Sequence, residues 1–139
     1  MTVDLPEISK GISFDPKPYA GNKAKIAPVS DWEVCDIKSK YGTNGKELPK
    51  GETIMVKKLR VVTEPVATVK DSEGKQKVIR ASELFGLTQD ENGVWGVPTH
   101  EKSGMSRFLK TLGLKHYKEL VGQTVPLKLN GDYLGFYVK

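Results

Sequence analysis

The 139-residue sequence contains a single cysteine, Cys35, and only two histidines, His100 and His116. One cysteine excludes an intramolecular disulfide, and so few Cys and His residues exclude a structural zinc site of the Cys/His kind. Because Cys35 lies in a strand-like stretch, it is more typical of a packed apolar side chain than of a nucleophile. We therefore expect no metal, no cofactor and a reducing compartment: the cytoplasm of a cell, or of a host if the gene is viral.

Long apolar stretches and catalytic motifs are also missing. No apolar run approaches the roughly 18–20 residues of a membrane helix, and the opening residues, MTVDLPEISK, lack the features of a secretory signal. There is no G-x-S-x-G elbow, P-loop, H-E-x-x-H or Rossmann glycine pattern. His100 beside Glu101 is an ordinary pair of polar residues. These absences predict a soluble protein that is not an enzyme and has no membrane partner.

The net charge of +5 is modest, but the charges are unevenly distributed. Residues 23–62 carry nine Lys or Arg against five acids, and residues 100–139 carry seven against three. Two basic blocks that converge on one surface would attract a polyanion. The same lysines spread around the molecule would only solvate it, and on charge alone this second arrangement is the commoner one.

The prolines and glycines divide the chain into two parts. Residues 1–22 contain three prolines and two glycines without a helical or strand period, which predicts an extended N-terminal arm. Four apolar side chains could pin this arm to the body: Ile8, Ile12, Phe14 and Tyr19. We expect residues 23–139 to form a single domain, a length that is sufficient for a core of its own.

Two long strand-like stretches follow the arm, at residues 24–41 and 53–69. Their alternation of apolar and polar residues slips near Pro28, near Cys35 and at Lys57-Lys58. Such slips are typical of β-bulges, which bend a strand. Residues 77–81 predict a shorter returning strand after a turn at residues 71–74.

One amphipathic helix is predicted at about residues 103–113. Met105, Phe108, Leu109 and Leu112 form a single apolar stripe at helical spacing. Ser103 is a suitable N-cap, and the glycine after Leu112 is a suitable C-cap. A second, shorter helical turn is predicted within KHYKELVG.

The C-terminal residues, about 124–138, predict a β-hairpin. Asn130-Gly131 is typical of a type I′ turn, and apolar residues alternate on both sides of it. A two-residue loop at this position pairs Leu129 with Asp132, Leu127 with Leu134, and Val125 with Phe136. The opposite face then carries Lys128, Tyr133, Tyr137 and Lys139.

The element order therefore predicts a mainly β fold: a barrel of five or so bent antiparallel strands, with the helix between the third and fourth strands. This order is that of the OB-fold, although other small barrels with one helix would also fit.

Several short segments resemble a known group of proteins. They are an S-x-L-F piece from Ser82, a G-x-W-G piece, a serine that opens a helix ending in FLKTLGL, and the run KELVGQTVPLK. Together they resemble the C-terminal half of small OB-fold single-stranded-DNA-binding and replication-accessory proteins of phages and archaeal elements. The segment DWEVCDIKSKYG likewise resembles the first barrel strand of such proteins. The resemblance implies an OB-fold and a role on single-stranded DNA.

Binding of single strands needs a basic groove for the backbone and exposed aromatic rings on which bases stack. The candidate cations are Lys38, Lys40, Lys57, Lys58, Arg60, Arg107, Lys110 and Lys128. The candidate rings are Trp32, Tyr41, Trp95, Tyr133 and Tyr137. Trp32 stands between two acids and is more typical of a core residue, whereas Trp95 suits core and platform equally.

The predicted function is binding of single-stranded nucleic acid, DNA rather than RNA, without strong sequence preference. The alternative is a structural or adaptor protein that self-assembles or binds a protein partner. Both can hold together, because a single-strand binder can also form a homodimer. A barrel that binds a small molecule or a sugar is a third, weaker alternative, since it requires a deep apolar pocket.

Overall fold

The computed structural model describes residues 15–42, 46–71, 73–130 and 133–137. These ranges are mainly β, as predicted. The strands in chain order are β1 (Lys23–Lys25), β2 (Glu33–Ser39), β3 (Ile54–Val62), β4 (Ala67–Lys70), β5 (Gln76–Ile79), β6 (Ser82–Gly86), β7 (Thr88–Gln89), β8 (Trp95–Gly96), β9 (Thr124–Pro126), β10 (Lys128–Asn130) and β11 (Tyr133–Gly135).

The predicted helix is confirmed as α1, Gly104–Leu112. The Ser103 hydroxyl accepts a hydrogen bond from the Ser106 amide, and Gly113 ends the helix in the left-handed conformation at φ 74°. Both caps are those that the sequence predicts. Short 3₁₀ helices occupy Lys17–Tyr19, Val29–Asp31 and Tyr117–Leu120, and the last of these is the predicted second helical turn. In the described part of the chain, no helix combines the length and apolar composition needed to cross a membrane.

The largest sheet has the order β2-β3-β6 and is antiparallel throughout. Its register places Cys35 of β2 and Gly86 of β6 on either side of Lys58 in β3. Both ladders run without interruption, so the bulges predicted at Cys35 and Lys57-Lys58 are wrong. The strand predicted at 24–41 is instead broken after Pro28 by a 3₁₀ turn, which separates β1 from β2.

Four of the remaining strands, β1, β9, β10 and β11, form two small sheets beside this one. β1 pairs with β9 and meets the end of β3 through a bridge between Ile26 and Thr63. β9 leads directly into β10, which pairs with β11. β11 then approaches β6, where the Glu83 carboxylate accepts hydrogen bonds from the Phe136 and Tyr137 amides. The backbone ladders of the described residues therefore form several small sheets and do not close a barrel.

The core lies between α1 and the inner face of β3 and β6. Val61 of β3 and Phe85 of β6 are buried on this face, and the Phe108 ring of α1 stacks on Phe85 with centroids 5.5 Å apart. Phe136 completes the cluster, 5.6 Å from the Phe108 ring centroid. Burial of these large side chains is the main favourable contribution to the stability of so small a domain.

The hairpin forms near the predicted place but in a different register. Leu129 pairs with Leu134, and Asn130 pairs with Tyr133, so Asn130 is a strand residue and not the first residue of the predicted Asn130-Gly131 turn. The Asn130 side chain reaches the Glu83 carboxylate at 2.5 Å, which retains Asn130 as a strand residue. Residues 131 and 132 themselves lie outside the described residues.

The predicted arm is described only from residue 15 onward, so Ile8, Ile12 and Phe14 lie outside the described residues. In the described part, Tyr19 packs against the core as expected. The Gly21 amide also donates to the Leu127 carbonyl at 2.8 Å. Residues 15–22 therefore lie against the rest of the described structure.

Candidate nucleic-acid interface

The outer face of β3 carries two of the predicted cations. Alternation along a strand places Lys58 and Arg60 on one face and Lys57 on the other. The inner face contains the buried Val61 and Phe85, so Lys58 and Arg60 project away from the core. The two cations are separated by a single residue, which is about 7 Å along an extended strand.

A groove with a volume of about 290 Å³ lies on this face around Lys58. Two of the predicted stacking rings, Tyr41 and Trp95, line it together with Val56 and Gly86. The other lining residues are Ser39, Gly42, Lys57, Leu87, Thr88 and Gln89. We call this feature the Tyr41–Trp95 groove. It brings together residues that are more than fifty positions apart in the sequence.

Local hydrogen bonds fix the backbone that carries both rings of the groove. Trp95 pairs with Gln89 in the β7–β8 ladder, and the Asp90 carboxylate accepts the Asn92 and Val94 amides at 2.8 and 2.9 Å in the connecting turn. Tyr41 donates its amide to the Ser39 hydroxyl at 3.0 Å. The rings are accessible, since Trp95 is half-buried and Tyr41 is 46% exposed.

The cations around the groove differ in the contacts that their side chains already make. Lys40 holds its Nζ 5.6 Å from the Tyr41 ring centroid, a cation–π contact at the rim. Lys57 contributes to the groove but pairs its Nζ with Asp36 at 2.7 Å on the opposite face of the sheet. Its carbonyl accepts the Leu87 amide at 3.1 Å. Lys58 is thus the cation that alternation directs toward the groove.

Arg60 and Tyr133 line a second cavity on the same face of β3, with a volume of about 270 Å³. Ser82, Glu83 and Leu84 of β6 complete its lining. Among the described residues, the Arg60 guanidinium makes one ion pair, with Nε 3.7 Å from Glu33, and that Nε is shielded from solvent and has no hydrogen-bond partner there. We call this feature the Arg60–Tyr133 cavity.

Tyr133 is held by its hydroxyl while its ring stays 49% exposed. The hydroxyl donates to the Glu83 carboxylate at 3.1 Å. Partial burial and the neighbouring Glu83 charge raise the pKa of Tyr133 above its ordinary value. Tyr133 is therefore a neutral, oriented ring at ordinary pH.

Two predicted rings lie elsewhere. Trp32 is only 8% exposed and donates its Nε1 to the buried Ala27 carbonyl at 2.9 Å, in accordance with the preference for a core position. Tyr137 is half-buried against Phe108, with centroids 4.9 Å apart, and it also stacks on Phe85. Its position has a physical cause: the amides of residues 136 and 137 both turn toward Glu83, which ends the alternation that would place the ring outside.

The other predicted cations do not line either cavity. Lys38 lies on β2 opposite Met55, on the face that Lys57 shares. Arg107 and Lys110 are exposed on α1, as their positions off the apolar stripe predict. Lys128 is exposed on β10. Lys139 lies outside the described residues.

Sequence reasoning missed two residues that shape this face. Gly86 stands beside Lys58 on the floor of the groove, and a Cβ added there would meet no heavy atom within 4 Å. A glycine inside a strand is a known sign of close approach by a ligand, which was available in the segment SELFGL. Glu83 occupies an inward position between Ala81 and Phe85, and an acid at such a position signals a buried hydrogen-bond network.

Another cavity, of about 490 Å³, lies apart from these residues between β1, β9 and the start of β4. Lys23, Lys25 and Glu64 line it, and none of the predicted site residues does. Over the described ranges, no cluster of three or more His, Cys, Asp or Glu residues could hold a metal ion. Comparisons of the chain with protein-family models, curated proteins and solved structures find no match.

Proposed function

We propose that this chain binds single-stranded nucleic acid, DNA in preference to RNA, along the outer face of β3 and β6 without strong sequence preference. The observation that carries the proposal is the Tyr41–Trp95 groove, which combines two accessible rings with Lys58. Base–aromatic stacking contributes about 1–3 kcal/mol per base, and lysines neutralise the phosphates. This pairing of rings and charge is what sequence-independent single-strand binding requires.

The order of strand contacts supports an OB-like arrangement. If β1–β2, β3–β4, β5–β6, β9–β10 and β11 are taken as five bent strands, each contacts its neighbours in the cyclic order first, second, third, fifth, fourth. The helix lies between the third and fourth strands. OB-folds bind oligonucleotides on the face of their second and third strands, and the Tyr41–Trp95 groove lies on the equivalent face.

Tryptophan fluorescence provides the direct test. Oligothymidine of about 12 nucleotides, within the usual site size of such a fold, should quench the fluorescence of Trp95 and bind more weakly as salt rises. Trp32 is buried and serves as an internal reference. The Trp95→Phe variant should therefore lose the quenching. Absence of binding to single strands at low salt would refute the proposal.

Two glycines offer a matched pair of variants. Gly86 lines the groove and Gly96 does not, yet a Cβ at either position meets no heavy atom within 4 Å. Gly86→Val should fill the groove and weaken binding of oligothymidine about tenfold or more, whereas Gly96→Val should leave binding near that of the wild type. Equal effects of both variants would mean that the groove is not the binding surface.

Self-association is a second candidate function, because large apolar side chains are exposed on the opposite face of the same sheet. Val34 is 56% exposed and Met55 is 55% exposed. The register places both on the face of Asp36 and Lys57, away from the groove. Light scattering over a range of protein concentrations tests it: a dimer that is lost in Val34→Asp would establish this role, and a monomer at all concentrations would exclude it.

A further inference from the structure

Arg60 lines the Arg60–Tyr133 cavity, and its guanidinium has no hydrogen-bond acceptor in the described part of the chain. Among the residues that the structure describes, the Arg60 guanidinium donates no hydrogen bond, and its ion pair to Glu33 is 3.7 Å long. A guanidinium carries five N–H donors in a rigid plane, so this side chain retains most of its capacity to bind a planar acceptor. The cavity beside it has space for one, at about 270 Å³.

The charges around Arg60 disfavour a phosphate as the ligand. Glu33 lies on one side of the guanidinium, and Glu83 is among the residues that line the cavity. Two carboxylates near one guanidinium leave a local excess of negative charge around Arg60. A phosphate would be repelled by it, whereas a neutral group with carbonyl or ring-nitrogen acceptors would not.

Tyr133 supplies a flat surface in the same cavity. Its hydroxyl is anchored by Glu83 at 3.1 Å and by Asn130 at 3.4 Å, which restricts the orientation of a ring that is 49% exposed. An anchored, accessible ring stacks a base with little loss of side-chain entropy. Leu84 adds an apolar contact at the cavity wall.

We infer that the Arg60–Tyr133 cavity is a base-binding subsite, in which one nucleobase stacks on Tyr133 and accepts a hydrogen bond from the Arg60 guanidinium. This inference rests on the proposed function. Arg60 follows Lys58 on the same face of β3, so a strand that leaves the Tyr41–Trp95 groove along β3 reaches this cavity next. Lys58 then contacts a phosphate and Arg60 contacts a base, which is a different role from the phosphate contact that the sequence suggested for Arg60.

Salt dependence separates the two roles. Removal of a phosphate contact lowers the slope of log affinity against log salt by about 0.7 for a single strand, whereas removal of a base contact leaves it unchanged. With oligothymidine of about 12 nucleotides, Lys58→Gln should lower the slope. Arg60→Met and Arg60→Lys should both weaken binding about tenfold with the wild-type slope, because lysine keeps the charge but lacks the planar fork.

Tyr133 variants and abasic probes complete the test. Tyr133→Leu should weaken binding, and Tyr133→Phe should retain it because the ring remains. An oligothymidine with a single abasic position, moved along the strand, should lose affinity at two separate places in the wild type and at one place in Arg60→Met. Far-UV circular dichroism and urea unfolding establish that each variant folds.

Three results would overturn the inference while leaving the proposed function intact. The first is wild-type affinity in Arg60→Lys together with a reduced salt slope in Arg60→Met. The second is unchanged affinity in both Arg60 variants. The third is an abasic profile that Arg60→Met does not alter. If the wild type binds no single strand, Trp95→Phe and Gly86→Val have no binding to weaken. The proposed function then fails, and the base-binding subsite fails with it.

Discussion

One carboxylate oxygen of Glu83 accepts the backbone amides of both Phe136 and Tyr137, at 2.9 and 2.8 Å, although these residues lie 53 and 54 positions away. Successive amides of a regular strand point in opposite directions, so this arrangement requires the chain to turn after Gly135. The Glu83 side chain thus replaces a backbone ladder between β6 and β11. A buried acid is tolerated here because hydrogen-bond donors surround it.

We expect Glu83→Ala to be among the most destabilising substitutions in the protein. It leaves the amides of Phe136 and Tyr137 without their acceptor, and each buried unsatisfied donor costs about 1–3 kcal/mol. The free energy of unfolding in urea should fall by about 3 kcal/mol or more. The exposed Glu91, replaced by Ala as a control, should change it by less than about 0.5 kcal/mol. Similar values for the two variants would contradict this account.

Gly135→Ala should also destabilise the fold, for a steric reason. A Cβ at Gly135 would overlap the Glu83 carboxylate and would lie 2.6 Å from the Asn130 side-chain nitrogen. Overpacking of this kind costs about 1–3 kcal/mol. Gly86→Ala is the matched control, since its Cβ meets open space and its strand favours a side chain. Thermal or urea unfolding of the two variants should differ clearly, and equal stability would show that the site relaxes.

Ionisation of Tyr133 gives a pH-dependent signal. Partial burial and the Glu83 charge raise its pKa, so its phenolate absorbance should appear at higher pH than that of an ordinary tyrosine, near 10. Since the folded-state pKa is the higher one, the stability from this group is complete below the unfolded pKa and is lost as pH rises through the folded pKa. The difference titration between wild type and Tyr133→Phe isolates the residue. In Glu83→Gln the midpoint should move down, and a midpoint that stays in place would exclude Glu83 as a cause.

The two tryptophans should differ in their contribution to stability. Trp32→Phe leaves the buried Ala27 carbonyl without its donor, which costs about 1–3 kcal/mol in addition to the lost packing. Trp95→Phe removes part of a half-buried ring on the surface and should cost less than about 1 kcal/mol. Urea unfolding measures both. If Trp95→Phe proved the more damaging, Trp95 would belong to the core and its role as a platform would be refuted.

Local signals predicted the helix and its boundaries well. The apolar stripe of α1 fixes its buried face, and Ser103 and Gly113 provide caps whose geometry depends on neighbouring residues only. The mainly β character of the fold was also predictable from the sequence. The proximity of Tyr41, Trp95 and Lys58 to one another was not, because it depends on contacts between distant parts of the chain. Which rings meet depends on how β7–β8 folds back over β3, which no short pattern specifies.

Tertiary contacts explain the predictions that proved wrong. The Asn130-Gly131 pair is a strong turn signal, but Asn130 stays in the strand because its side-chain amide donates to Glu83 of β6, which is distant in the sequence. The apolar–polar alternation slips at Lys57-Lys58 because residues on both faces of β3 are partly buried there, and not because the strand contains a bulge. In both cases a distant partner outweighs the local preference.

The carboxylate at position 83 occupies the space that a Cβ at position 135 would need, although the two residues are far apart in the sequence. Neither residue is therefore free to diverge alone. In descendants that keep this architecture, any side chain at 135 should accompany a shorter or uncharged residue at 83, together with a new acceptor for the amides of the C-terminal segment.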